Sequence, residues 1–334
     1  MVCCYGAQGS EDPVLHSYVL RGIDFTLRHE YGHADSVFRI VEREFPDHPA
    51  GSLYRAAVIQ SKILDLKLEM NDHQFDSLRM VGQERAERWI QLEPRSAWGH
   101  FYLGTALGYE SYARVYREEW FGGITKAMSS VDEFRRAIEL DSSLHDACVG
   151  IGTYYYWKGR KTEFLNWLPF VGDDRKNGIA LIQRTAERGI YNRFTAMSVL
   201  ATIYIDAGEY ESAERLADLG LQSYPRNRVF LWEHAAALEK QGRHREAVNT
   251  YERLLDVIQK DGEEHRYNEL VCRLNMARAF AAMADSSLAQ VEISAVLSLQ
   301  EVTFPPHLRK RAADKFREAR ALERSLATGT SPDK

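Results

Sequence analysis

Two columns of residues no larger than serine recur along this chain and decide what it can fold into. The first holds Gly22, Ala56, Gly104, Gly152, Ala201, Ala235 and Ala277; the second holds Ala34, Gly82, Ser130, Gly178, Ala213, Ala247 and Ala289. Small side chains at matching points on two segments let their backbones approach closely, which is what a tight helical hairpin needs. Larger residues travel with them. Four positions after the second column stand Phe38, Ala86, Phe134, Ile182, Ala217, Tyr251 and Ile293. Three positions further stand Val41, Trp89, Ala137, Thr185, Gly220, Leu254 and Val296. Steps of three and four share one helix face. Pro46, Pro94 and Pro225 follow five residues later, where proline ends a helix. The pattern predicts an all-α chain of stacked hairpins. Its 334 residues exceed what one compact core holds, which favours such a stack or two domains.

The segment LATIYIDAGEYESAERLADLGLQSYP, Leu200–Pro225, sets Ala201 and Tyr204 before a Gly208 turn, then Tyr210, Ala213 and Pro225. Ala235 to Gln259 repeats the order with Gly242 and His244 in the turn, and Ser17–Pro46 is a third copy. In these residues the chain resembles the tetratricopeptide repeat family, whose period is 34 residues. The resemblance covers residues 13–302 and implies a right-handed α-solenoid of about seven hairpins, with the first helix of each lining a concave groove.

Three units are longer, 48 residues each from Pro46 to Pro94, to Ser142 and to Ile190, with their small columns 26 apart. Fourteen extra residues fit as about seven per helix, close to two turns, so the packing face keeps its phase. Repeats two to four are therefore expected to be taller. The fourth is interrupted by Lys158–Gly172, which reads as a short apolar helix and loop, with Asp173 or Asp174 capping the next helix. Pro305–Leu326 reads as an amphipathic capping helix, residues 1–12 as a flexible leader and 327–334 as a disordered tail. If the native start lies upstream, Gly6 and Ala7 suit a cleavage site and Cys3 or Cys4 a lipid, so the leader reads either as cytoplasmic or as a signal-peptide remnant of an exported chain.

Function is expected at the groove. The family register places Trp98, Phe101, Thr105, Gly108 and Tyr109 there in repeat three, and Asp146, Val149, Thr153, Tyr156 and Trp157 in repeat four; Tyr112 extends the same cluster. Tyr102, Tyr154 and Tyr155 are expected in the core. Clustered Tyr and Trp favour binding a protein or peptide partner, so the first expectation is a non-enzymatic scaffold without cofactor. The family's clamp for acidic chaperone tails uses a lysine where this chain has Val19, Leu53, Phe101, Val149, Ser198 and Trp232, so that role is not expected. A small-molecule or lipid-binding module, helped by Phe164–Phe170 (FLNWLPF), or an envelope-associated one touching a membrane through Trp167, Leu168 and Phe170, is the alternative.

Other classes are disfavoured. Net charge is −5 with no Lys/Arg stripe evident, which argues against nucleic acid. No apolar run reaches the roughly 20 residues of a membrane span. Cys148 and Cys272 read as small core residues, and no CxxC pair occurs. His29–His33 reads H-E-Y-G-H, a zinc hydrolase pattern that needs one continuous helix, yet Gly32 and the small columns place it in a turn. Gly172–Lys176 lacks the glycine spacing of a phosphate loop and reads as a cap followed by solvated charges.

Overall fold

The computed structural model describes residues 12–70, 73–163, 173–261 and 265–328. These form α-helices α1 (Pro13–Leu27), α2 (Tyr31–Glu44), α3 (Ala50–Leu66), α4 (His73–Leu92), α5 (Ala97–Tyr116), α6 (Trp120–Leu140), α7 (Cys148–Lys161) and α8 (Arg175–Arg188). The chain continues with α9 (Arg193–Ala207), α10 (Tyr210–Ser223), α11 (Arg228–Lys240), α12 (His244–Asp261), α13 (Arg266–Ala282), α14 (Ser286–Ser298) and α15 (Pro306–Thr328). No strand occurs among the described residues. The predicted leader up to residue 11, the FLNWLPF segment and the tail from residue 329 lie outside them.

The helices divide into two compact units. One comprises Met1–Lys62 with Met70–Leu200, the other Ile63–Glu69 with Ala201–Lys334. Both are built from hairpins joined through the small columns, whose fourteen members are all buried and alternate between the first and second helix of successive pairs. The contact is steric. A methyl on Gly22 would lie 2.2 Å from the Phe38 ring, and one on Gly104 would lie 2.8 Å from Phe134. A methyl on Gly152 would lie 2.4 Å from the Gly178 carbonyl oxygen. Sizes compensate across several pairs: Gly22 faces Phe38 and Gly104 faces Phe134, whereas Ala56 and Ala201 share their hairpins with Ala86 and Ala217.

The turns inside the hairpins follow one design. His29, Glu118, Gly208, Gly242 and Ala284 each adopt positive φ, between 58° and 80°. In every case the next amide bonds back five residues, as in Glu30 N to Phe25 O (2.9 Å), Glu209 N to Tyr204 O (2.8 Å) and Asp285 N to Phe280 O (2.9 Å). This left-handed cap satisfies carbonyls at the end of the first helix and reverses the chain into the second. Asp12, Ser96 and Asn227 supply side-chain caps to α1, α5 and α11. Asp174 stands at the cap position of α8 without a side-chain bond. Its neighbour Asp173 accepts from the Arg175 amide instead (3.1 Å).

Helix length varies by position. α2, α8, α10, α12 and α14 each begin three residues before their small-column residue, whereas α4 begins nine before Gly82 and α6 ten before Ser130. In the fourth pair neither helix matches that length: α7 and α8 have 14 residues each, against 20 and 21 in α5 and α6. In the second unit, α15 buries Leu308, Ala312, Phe316, Ala319 and Leu322 against α13 and α14. That unit also fixes the 63–69 segment. Asp65 and Arg228 form an ion pair with both side chains 4% exposed, Asn268 Nδ2 donates to Asp65 O (2.7 Å), and His307 Nε2 donates to Lys67 O (2.8 Å).

Candidate functional site

The expected groove is set by what α5 touches. Gly104 and Gly108 face Phe134 and Ser130 of α6, and Ser111 Oγ donates to Gly123 O (2.8 Å). On the other flank Glu110 meets Arg79 (3.2 Å) and Arg117 meets Asp76 (2.7 Å), both from α4. At 100° per residue, the face left over carries Trp98, Thr105, Tyr112 and Tyr116. Tyr112 and Tyr116 stack at 6.3 Å and are 38% and 40% exposed. Burial and the adjacent Tyr116 push the Tyr112 hydroxyl up to about 12. Tyr109 is half-buried, tilted on Phe75 at 6.3 Å, and burial raises its hydroxyl further.

Other predicted positions are not accessible. Phe101 and Tyr156 are each 2% exposed, and Phe101 packs within the first unit's core beside Tyr102 and Phe134. Their rings fill hairpins and present nothing to a partner. Thr105 and Thr153 are half-buried and give their hydroxyls to Phe101 O (2.9 Å) and Val149 O (2.7 Å). Trp157 is half-buried, edge-on to Tyr156 at 5.2 Å. Of the aromatics expected in the core, Tyr102 is 1% exposed, while Tyr154 and Tyr155 are half-buried against the core and Arg135 donates to the Tyr155 hydroxyl.

One end of this face is filled from within. Asp146, a predicted groove position, is buried. Its carboxylate accepts the amides of Ile190 (3.0 Å), Tyr191 (2.9 Å) and Asn192 (2.6 Å). Burial raises its carboxyl, opposed by those amide bonds. They fix Tyr191, whose ring lies 5.7 Å from Trp98 and 6.1 Å from Tyr54, and whose hydroxyl meets His16 Nδ1 at 2.7 Å. Tyr191 therefore occupies the space beside Trp98 that a partner side chain was expected to take. Nothing in the spacing of a single inter-repeat loop residue announces this.

A second surface went unnoticed in the sequence. On α6, Trp120 (58% exposed), Phe121 (92%), Ile124 (53%) and Met128 (52%) project into solvent. Their spacing places them within about 100° of one another on the helix. Three of the four lie in the two turns by which α6 outreaches α8. The signal was available as W-F-x-x-I-x-x-x-M in a helix whose core face was already assigned to Ser130, Phe134 and Ala137.

The H-E-Y-G-H segment is divided by its turn. His29 is the left-handed cap residue and meets Tyr31 Oη (2.7 Å), whereas His33 lies in the first turn of α2 and meets Glu30 (3.0 Å). The two imidazoles share no helix. Cys148 and Cys272 are buried, with burial raising both thiols. Among the described residues, no helix is long and apolar enough to cross a membrane.

Hairpins packed through small columns and closed by one recurring turn make this an all-α chain of helical repeats. Solved structures of similar build include the C-terminal part of a TPR repeat-containing protein from Cytophaga hutchinsonii, at 16% identity and TM-score 0.47, covering 89% of this chain and 98% of that one. PilW, a type IV pilus biogenesis factor, is similar at 12% identity and TM-score 0.48, covering 75% of this chain and 98% of PilW. A thermophilic TPR protein of Thermus thermophilus is similar at 16% identity and TM-score 0.42, covering 67% and 98%. No family profile and no curated protein sequence matches the chain.

Proposed function

We propose that this chain is a non-enzymatic scaffold that seats an apolar helix or peptide of a partner protein on the third hairpin, along the exposed part of α5 and the free stripe of α6. The observation that carries the reading is the stripe. Four large apolar side chains at half exposure or more, on one face of one helix, are left uncovered by the described residues, and such patches mark binding surfaces. Tyr112 and Tyr116 near the end of α5 add two rings that combine an apolar body with a polar tip.

The fold supports the same reading. Hairpin stacks present rigid helix faces, and a helix laid in such a surface is read through anchors three and four residues apart. The test is an affinity-purified partner measured against wild type and against Phe121→Ser/Ile124→Ser. Both side chains lie outside the core, so the melting midpoint should be unchanged. Removing two anchors should cost about 2 kcal/mol or more, a roughly 30-fold loss of affinity. Equal affinities would refute the stripe. Retained binding that is lost instead in Tyr112→Ala/Tyr116→Ala would confine the site to α5.

A further inference from the structure

We propose that Glu214, Asp218 and His234 form a binding site for a divalent first-row transition ion. Glu214 and Asp218 lie one turn apart on α10, and His234 comes from α11, the next helix of the same unit. One ligand atom from each lies within 4.8 Å of the others. One imidazole and two carboxylates are a donor set suited to Zn²⁺ and its neighbours.

The hydrogen bonds behind the histidine supply the second argument. Thr250 Oγ1 lies 3.0 Å from His234 Nδ1 and 3.1 Å from Glu246 O, so the imidazole is held from behind at Nδ1. That contact turns the Nε2 edge of the ring toward Asp218 Oδ1, 3.1 Å away. A polar group behind a ligating imidazole is the outer-shell arrangement that fixes ring orientation in metal sites.

Glu214 is oriented as well. Gln241 Nε2 donates to it at 2.8 Å and Arg243 Nη1 at 2.7 and 2.6 Å, both from the α11–α12 turn. These donors leave one lone pair of the carboxylate unused. Asp218 is 53% exposed and closes the set from the solvent side, leaving open positions for water. Arg243 opposes a cation, so affinity is expected to be moderate and to rise when that charge is removed.

The experiment uses the full, untagged chain after chelator treatment, titrated with Zn²⁺ by calorimetry and followed by thermal melting. One equivalent should bind and raise the melting midpoint. His234→Ala and Asp218→Asn should each weaken binding about 10-fold or more, the range seen when metal ligands or their supports are lost. Arg243→Gln should tighten it. Asp218 is solvent-exposed, so its variant keeps the fold, which circular dichroism of the metal-free protein verifies. Equal Zn²⁺ affinity in wild type, His234→Ala and Asp218→Asn would overturn the site. So would no binding to the wild type at about 1 mM Zn²⁺, far above the range of specific zinc sites.

Discussion

Gly152→Ala is the smallest change that tests the packing principle of this fold. The added methyl would lie 2.4 Å from the carbonyl oxygen of Gly178, 2.6 Å from Ile182 Cγ1 and 3.2 Å from the Ile182 amide nitrogen. Non-bonded heavy atoms prefer about 3.5 Å, so the shortfall against the carbonyl is about 1 Å. That oxygen belongs to the α8 backbone and cannot rotate away, so α7 and α8 must part. The opposite face is equally tight, since a methyl on Gly178 would meet Gly152 O at 2.7 Å and the Tyr156 amide at 3.0 Å. Overpacking costs about 1–3 kcal/mol, and a backbone obstacle argues for the upper end. Replacing a mid-helix glycine by alanine returns about 1 kcal/mol. The expected net loss is about 2 kcal/mol, or a midpoint lower by about 4–8 °C. Thermal melts followed by circular dichroism give the midpoint, and hydrogen exchange of α7 amides locates the loss. Gly32→Ala in α2, where nothing lies within 4 Å, is the control and should be neutral or stabilising. Gly152→Ala/Gly178→Ala should cost less than the two singles together, because one methyl has already opened the gap. A Gly152→Ala midpoint at or above wild type would refute the packing argument.

Three further outcomes follow from buried charge and turn strain. His48 Nδ1 accepts the Ala50 amide at the start of α3 (3.1 Å), and burial, helped by the Arg85 charge, lowers the imidazole to about 4. Its folded value lies below the unfolded 6.5, so its contribution is full above pH 6.5 and is lost as pH falls toward 4, by about 2–3 kcal/mol. Denaturant titrations at pH 7 and 4 should show that slope in wild type and a flatter one in His48→Asn. His29→Gly, relieving a side chain at φ 63°, should raise the midpoint by the equivalent of about 1 kcal/mol; a lower midpoint would show that the imidazole's contact with Tyr31 outweighs the strain. Arg228→Met removes the guanidinium that neutralises buried Asp65 and should cost about 3–5 kcal/mol, much of it recovered in Asp65→Leu/Arg228→Met.

What could be read from the sequence is what steric exclusion dictates locally. Gly22 against Phe38 and Gly104 against Phe134 must be glycines because a ring occupies the space of their missing Cβ, so both members of each pair leave a mark at fixed spacing. Gly208 and Gly242 mark the recurring turn for a different reason, their positive φ, and once the turn is known His29, Glu118 and Ala284 fall into it despite their side chains. Accessibility is different, because it depends on residues distant in the chain. Trp98 and Tyr112 share one face of α5, yet Tyr191, held by Asp146, covers the first and leaves the second half in water. The ion pair of Asp65 with Arg228 spans 163 residues and obeys no repeat spacing. The repeat register puts Phe101 in the groove, but its ring packs in the core beside Phe134, which itself fills the space left by Gly104 and Gly150.

The extension of the middle hairpins ties fold to proposed function. Seven added residues are nearly two turns, so Ser130, Phe134 and Ala137 keep their phase and the core does not register the insertion. The same two turns carry α6 past the level at which α8 begins, so their outward face receives no helical neighbour from the next pair among the described residues. A face in that position is free of the constraint that shapes the columns, and ordinary solubility would favour Lys or Glu there. Trp120, Phe121 and Ile124 stand there instead, with Phe121 92% exposed. Apolar residues at positions the fold neither buries nor needs are expected where something outside the chain does the burying, which is why the stripe rather than the Trp98 end of the groove carries the functional proposal.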